Sequence, residues 1–139
     1  MLNKDMYFMK EAYKQAQLAY DDGEIPVGAV IVCQDRIIAK AYNQVERLND
    51  ATAHAEMIAI TSASNFLQSK YLDECILYVT LEPCKMCSGA ISNAHIKTVK
   101  FGASDNSKNP LSDHFVKFGG FMEEECQALI DDFFNNLRA

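Results

Sequence analysis

Two short stretches carry the residue types that hold metals and move protons. "TLEPCKMC", Thr80 to Cys87, places Cys84 and Cys87 three residues apart directly after Pro83, and "TAHAE", Thr52 to Glu56, places His54 two residues before Glu56. A Cys-x-x-Cys at a helix start reads as a redox dithiol or as half of a zinc site. Cysteine is also among the most often buried residues, so a pair of ordinary core thiols is a third reading. A helix N-terminus favours thiolates, and residues i and i+3 face one centre from neighbouring turns, which suits a metal. With only three histidines in the chain, His54, His95 and His114, the candidates for a third ligand are few. One His and two Cys leave a tetrahedral position open, the arrangement of catalytic rather than closed structural zinc. Glu56 stands among Ala53, Ala55, Met57, Ile58 and Ala59, which leave little room for an exposed face. A partly buried carboxylate beside a zinc-polarised water takes its proton and returns protons to a leaving group. On this reading the chemistry is hydrolysis, with His54, Cys84 and Cys87 as zinc ligands and Glu56 as proton shuttle.

The elements that must position these residues are readable from periodicity. Met6, Met9, Ala12, Tyr13, Ala16 and Ala19 recur at three- and four-residue steps, predicting a helix over 4–20 that stops at Asp21 to Gly23. "PVGAVIVCQDRIIAKAYN" predicts a hairpin, with strands near 27–32 and 37–42 around Gln34 and Asp35. "NQVERLNDAT" reads as a polar loop, and 53–67 as a helix capped by Asp50 or Thr52. "CILYVTL", Cys75 to Leu81, is a continuous apolar run, the pattern of a strand covered on both faces. Pro83 then opens a helix ending near Asn93. A strand over 96–101, a breaker-rich loop "DNSKNPLSD", a weak edge strand in "HFVKF" and a terminal helix with acids in its first turn complete the chain. Helices interleaved with strands predict an α/β domain with helices on both sides of one sheet.

Composition bounds the setting. With 139 residues, 49% hydrophobic and 23% charged, the chain suits one domain spanning 1–139. The absence of an apolar run of about 18 residues and of a signal-peptide pattern predicts a cytoplasmic protein without a membrane association. Five cysteines, odd in number and scattered apart from one pair, argue against a disulfide scaffold. Cys33, Cys75 and Cys126 read as core or incidental residues, and His114 as a loop or edge-strand residue. The net charge of −6 counts against a polyanionic partner, yet residues 85–117 hold five lysines against two acids.

"HAE" with "PCKMC" resembles the signature of zinc-dependent nucleobase deaminases, H-x-E with P-C-x-x-C. "EIPVGAVIV", "AYN", "TAHAE", "LYVTLEPCKMC", "FGASD" and "DFF" extend the likeness, in order, to the branch that converts the wobble adenosine of a tRNA to inosine. The resemblance implies a three-layer α-β-α sandwich around a mixed five-stranded sheet, one zinc ion per subunit and no organic cofactor, a homodimer, and a tRNA anticodon loop as substrate. It also implies that Asn43 binds the base, that Pro26 and Val27 form pocket wall, that the backbone of Ala55 touches the base, and that Asp105 and Phe134 lie near the RNA strand. For Phe133 and Phe134, inward packing in the last helix is the competing expectation. The departures fall on the nucleic-acid side: the segment after "FGASD" is shorter than usual, and His95 and Ser104 stand where arginines are common. A deaminase of a free base or nucleoside, or of other single-stranded nucleic acid, is the alternative, and a non-catalytic zinc module or a redox dithiol protein a more distant one.

Overall fold

The computed structural model describes residues 3–105 and 114–138. Helix α1 (Lys4–Asp21) starts where the Asn3 side chain accepts from the Met6 amide, and it buries Phe8, Met9, Ala12, Ala16 and Ala19 on one face. It ends at Gly23, whose φ of +76° is left-handed and favours glycine. Strands β1 (Gly28–Cys33) and β2 (Arg36–Tyr42) form the predicted hairpin. Gln34 and Asp35 both have positive φ, the mark of a turn whose twist matches the flanking strands. The polar segment that follows is not all loop, since Val45–Leu48 forms a short helix, α2.

Helix α3 (Ala55–Leu67), strand β3 (Cys75–Leu81), helix α4 (Lys85–Asn93), strand β4 (Thr98–Ala103), edge strand β5 (Val116–Phe118) and helix α5 (Glu123–Arg138) follow. β4 lies two residues later than its apolar run suggested. Most of the breaker-rich loop, residues 106–113, lies outside the described residues.

The sheet order is β2-β1-β3-β4-β5; β1 runs antiparallel to β2 and β3, while β3, β4 and β5 are parallel. The sheet is therefore mixed and five-stranded, with helices on both faces, the three-layer sandwich that the resemblance implied. Alternation along β1 explains its wholly apolar sequence: Ala29 and Ile31 join the larger core cluster with Ala55, Ala59 and Ile91, whereas Val30 and Val32 pack with Phe8 and Met9 of α1. Burial of a side chain such as Ile31 or Leu77, both at 0% exposure, contributes about 1.5–3 kcal/mol relative to leaving it in water. α1 crosses β1 at Gly28, where a Cβ would lie 2.1 Å from the Ala12 carbonyl oxygen, so only glycine permits this approach.

Cys33 and Cys75 are cross-strand partners at the end of the sheet remote from Cys84, and Cys126 is buried beside Gly102. His114 is exposed just before β5. No described helix is long and apolar enough to cross a membrane.

Candidate active site

The chain enters α3 through His54 and α4 through Cys84, each occupying the N-cap position with its side chain not bonded to its own helix. Both side chains are therefore left to project from the helix starts. Cys87, 0% exposed, comes in from the first turn of α4. The His54 Nδ1 atom lies 3.6 Å from the Cys84 Sγ and 3.5 Å from the Cys87 Sγ. A tetrahedral zinc with ligands at about 2.0 Å (N) and 2.3 Å (S) places nitrogen and sulfur about 3.5 Å apart, so the three donors fit that ion. Among the described residues they are the one group of three or more His, Cys, Asp or Glu side chains close enough to share a metal.

Glu56, in the first turn of α3, is 4% exposed. Burial pushes its carboxyl up to about 7, against the hydrogen bonds from its own amide and from the Cys87 thiol, which pull the other way. Burial likewise pushes the Cys87 thiol up, reinforced by Glu56 and Cys84. A dication at the three donors acts in the opposite direction on both groups.

His54, Glu56 and Cys84 floor a cleft of about 530 Å³, with Cys87 buried behind them. Its walls include Val27, Asn43, Asp105 and Phe134, together with Phe133 and Leu137 from α5. Pro26 is buried next to this wall rather than on it, and Ala55 reaches it through its amide, which donates to Asn43 Oδ1 at 2.7 Å. That bond replaces the expected cap: Asp50 accepts instead from Thr52, and the first amide of α3 is satisfied from the end of β2. Asn43 also donates from Nδ2 to the Ile25 carbonyl, so half of its amide's bonding capacity is spent on backbone and one N–H and one lone pair remain for a ligand. Phe133 is 8% exposed and packs edge-on against Tyr20, while Phe134 is half-buried, so the inward packing expected of the pair holds fully for the first only.

Three carboxylates on the walls were not among the expected residues. Glu24 is buried and binds the amides of Glu46 and Arg47. Glu46 lines the mouth. Glu82 accepts from the Ser104 hydroxyl, the Asp105 amide and the Lys117 ammonium, tying β4 and β5 to the turn before Cys84. Glu82 alone had a sequence signal, its place beside Pro83 and Cys84.

A histidine and two thiols around one point, with a buried acid beside them and a cleft above, make a hydrolytic zinc centre of the kind that removes amino groups from nucleobases. The profile of the cytidine and deoxycytidylate deaminase zinc-binding region matches residues 2–103, and the chain belongs to that family. It is 46% identical to a tRNA-specific adenosine deaminase of Aquifex aeolicus, over 95% of each chain. A solved structure from studies of A-to-I editing by tRNA:A34 deaminases at the wobble position of transfer RNA superposes with a TM-score of 0.82 and 37% identity, covering 88% of this chain and 98% of the other. A guanine deaminase of Bacillus subtilis superposes with a TM-score of 0.67 and 46% identity, covering 70% of this chain and 63% of the other.

Proposed function

We propose that this deaminase hydrolyses the 6-amino group of the wobble adenosine in a tRNA anticodon loop, giving inosine and ammonia. The observation that carries the reading is the convergence of His54, Cys84 and Cys87 beside the buried Glu56 at the floor of a cleft. Full-length likeness to tRNA-specific adenosine deaminases supports RNA as substrate, whereas the guanine deaminase is matched over a smaller share of its length.

His54, Cys84 and Cys87 would hold the zinc, which would supply a water with its pKa lowered to about 7 and ready for attack. Glu56 would take the first proton of the attacking water and deliver it to N1 of the adenine ring, then take the second from the hydroxyl left on C6 and give it to the departing amine, so that the C–N bond breaks, ammonia leaves and C6 keeps a carbonyl oxygen. Asn43 meets the base edge with its remaining N–H and lone pair. Val27 and the α5 aromatics shape the cavity, with Pro26 and the Ala55 backbone behind it and Asp105 at its rim. A loop base is already unstacked, which reduces the cost of drawing it into the cleft.

The same reading has the protein act in the cytoplasm, as one domain and as a homodimer. Half-buried Met57 and Met86 and the open surface at Gly89 give α3 and α4 a face suited to a second copy. Light scattering giving a monomer mass would remove the dimer. For the activity, zinc-loaded protein is incubated with a tRNA transcript and, separately, with free adenine, guanine, cytosine and their nucleosides. Inosine at the wobble position is the expected product, and ammonia from the small substrates alone would overturn the RNA reading.

A further inference from the structure

The segment between Asn43 and His54 joins two parts of the site and supplies a wall of the cleft through Val45, Glu46 and Ala51. Its neck is closed by three bonds: Asn43 N–H to the Val27 carbonyl, Gln44 N–H to the Ala53 carbonyl, and Ala55 N–H to Asn43 Oδ1. These fix the ends of the loop and leave its far part, α2, to be held otherwise. The N-cap residue of α2, Gln44, gives no side-chain bond to the helix. Glu24 takes that role from outside: Oε1 accepts from the Glu46 amide at 3.0 Å and Oε2 from the Arg47 amide at 2.8 Å. Its own amide donates to the Ala19 carbonyl at the end of α1. Glu24 is 2% exposed and yet lies on the cleft, so an anionic group has been taken out of water for two backbone bonds. Such charge-assisted bonds at a helix start are stronger than neutral ones.

We propose that Glu24 is a positioning residue for substrate binding: its buried carboxylate clamps the loop 44–53 to the α1–β1 connection and so fixes the wall that Val45, Glu46 and Ala51 present to the substrate. The clamp acts on the wall and not on the metal. His54 lies beyond the neck, whose bonds do not involve Glu24, and Cys84 and Cys87 come from another element. Loss of the clamp therefore weakens substrate binding while leaving the zinc site and the proton transfer in place.

The test uses the zinc-loaded full chain carrying Glu24→Gln, which keeps the shape but turns an amide NH2 toward one of the two donors. The expected result is a KM for a tRNA anticodon stem-loop raised about tenfold, the scale of losing one hydrogen bond to a charged group. kcat should stay within about twofold and zinc content should match wild type. A fall in kcat at unchanged KM would mark a merely structural role and overturn the proposal, as would unchanged kinetics. Should Glu24→Gln fail to fold, Glu24→Asp, one methylene too short to reach both amides, is measured with the same criteria. Amide hydrogen exchange gives a readout free of any substrate: Glu46 and Arg47 should be protected in wild type and lose protection in the variant. Exchange of both at unstructured rates in wild type would overturn the clamp. The inference borrows its substrate from the proposed function, so failure of wild type on RNA would count against that function. The KM of whichever base or nucleoside is then turned over would decide on Glu24 by the same rise or its absence.

Discussion

The floor of the cleft takes its donors from the first turns of α3 and α4, with His54 and Cys87 33 residues apart in the chain. The walls are tied over a wider range of separations: α5 is joined to α1 where the Tyr20 hydroxyl meets Asp132 and Asn136 across 112 and 116 positions, Glu82 reaches Lys117 on β5 across 35, and Glu24 reaches the Glu46 amide across 22. Floor residues sit at helix N-caps or in first turns, with buried alanines and Ile91 behind them. Wall residues hang on side-chain hydrogen bonds, several of them at the surface. The difference teaches that two kinds of support hold this cleft: donors that must meet within ångströms ride on packed elements, and the walls are held by contacts that can be exchanged one at a time.

This contrast can be broken in a definite order. Cys87→Ala should have the largest effect, with zinc falling from about one equivalent to near none and deamination lost, because a three-donor site cannot spare a thiolate; metal analysis and ammonia release measure both. Glu56→Ala should keep zinc and fold but lower kcat by at least ~100-fold, as for loss of a positioned acid and base; retained turnover would end the shuttle assignment. Tyr20→Phe, which removes a wall contact remote from the zinc, should raise KM for RNA only ~2- to 3-fold at unchanged kcat. A fall in kcat as large as that of Glu56→Ala would erase the separation of floor from walls.

The smallest effect on turnover should come from Asp5→Asn, behind the sheet on α1. Burial alone would raise the Asp5 carboxyl, but hydrogen bonds from Lys100 and Tyr78 and the lysine's charge hold it below its ordinary value of 3.8. A carboxyl with a lowered folded pKa adds stability that is complete above its unfolded pKa and is lost as pH falls through the folded one. Asp5→Asn should thus cost about 1 kcal/mol at pH 7, discounted for the partial exposure of the pair, and flatten the fall of Tm as pH drops below about 4, with kcat and KM unchanged. Thermal melts across that range check the sign.

The floor was legible because its signals are local. His54 and Glu56 stand two apart, Cys84 and Cys87 three apart, and the strand before them is apolar throughout. The walls were legible only in part. α2 reads as loop because its helix start is capped by Glu24, 22 residues earlier, and no property of "VERL" itself announces that partner. The cap of α3 was sought in Asp50 and Thr52, the nearest side chains, but came from Asn43 across the neck of the loop. The inward turn of Phe133 relative to Phe134 depends on where α5 meets Tyr20, which the periodicity of α5 alone does not contain.

The bare backbone at Gly28, pressed against α1, sets a boundary for anyone seeking altered base selectivity by randomising this wall. Val27 lines the cleft and, though 5% exposed and packed in the core, has a side chain whose shape can be exchanged for one of similar volume, whereas its neighbour admits no Cβ at all. A library spanning both positions would fill with unfolded members at 28 and conceal useful ones at 27. Diversity belongs on one side of that peptide bond.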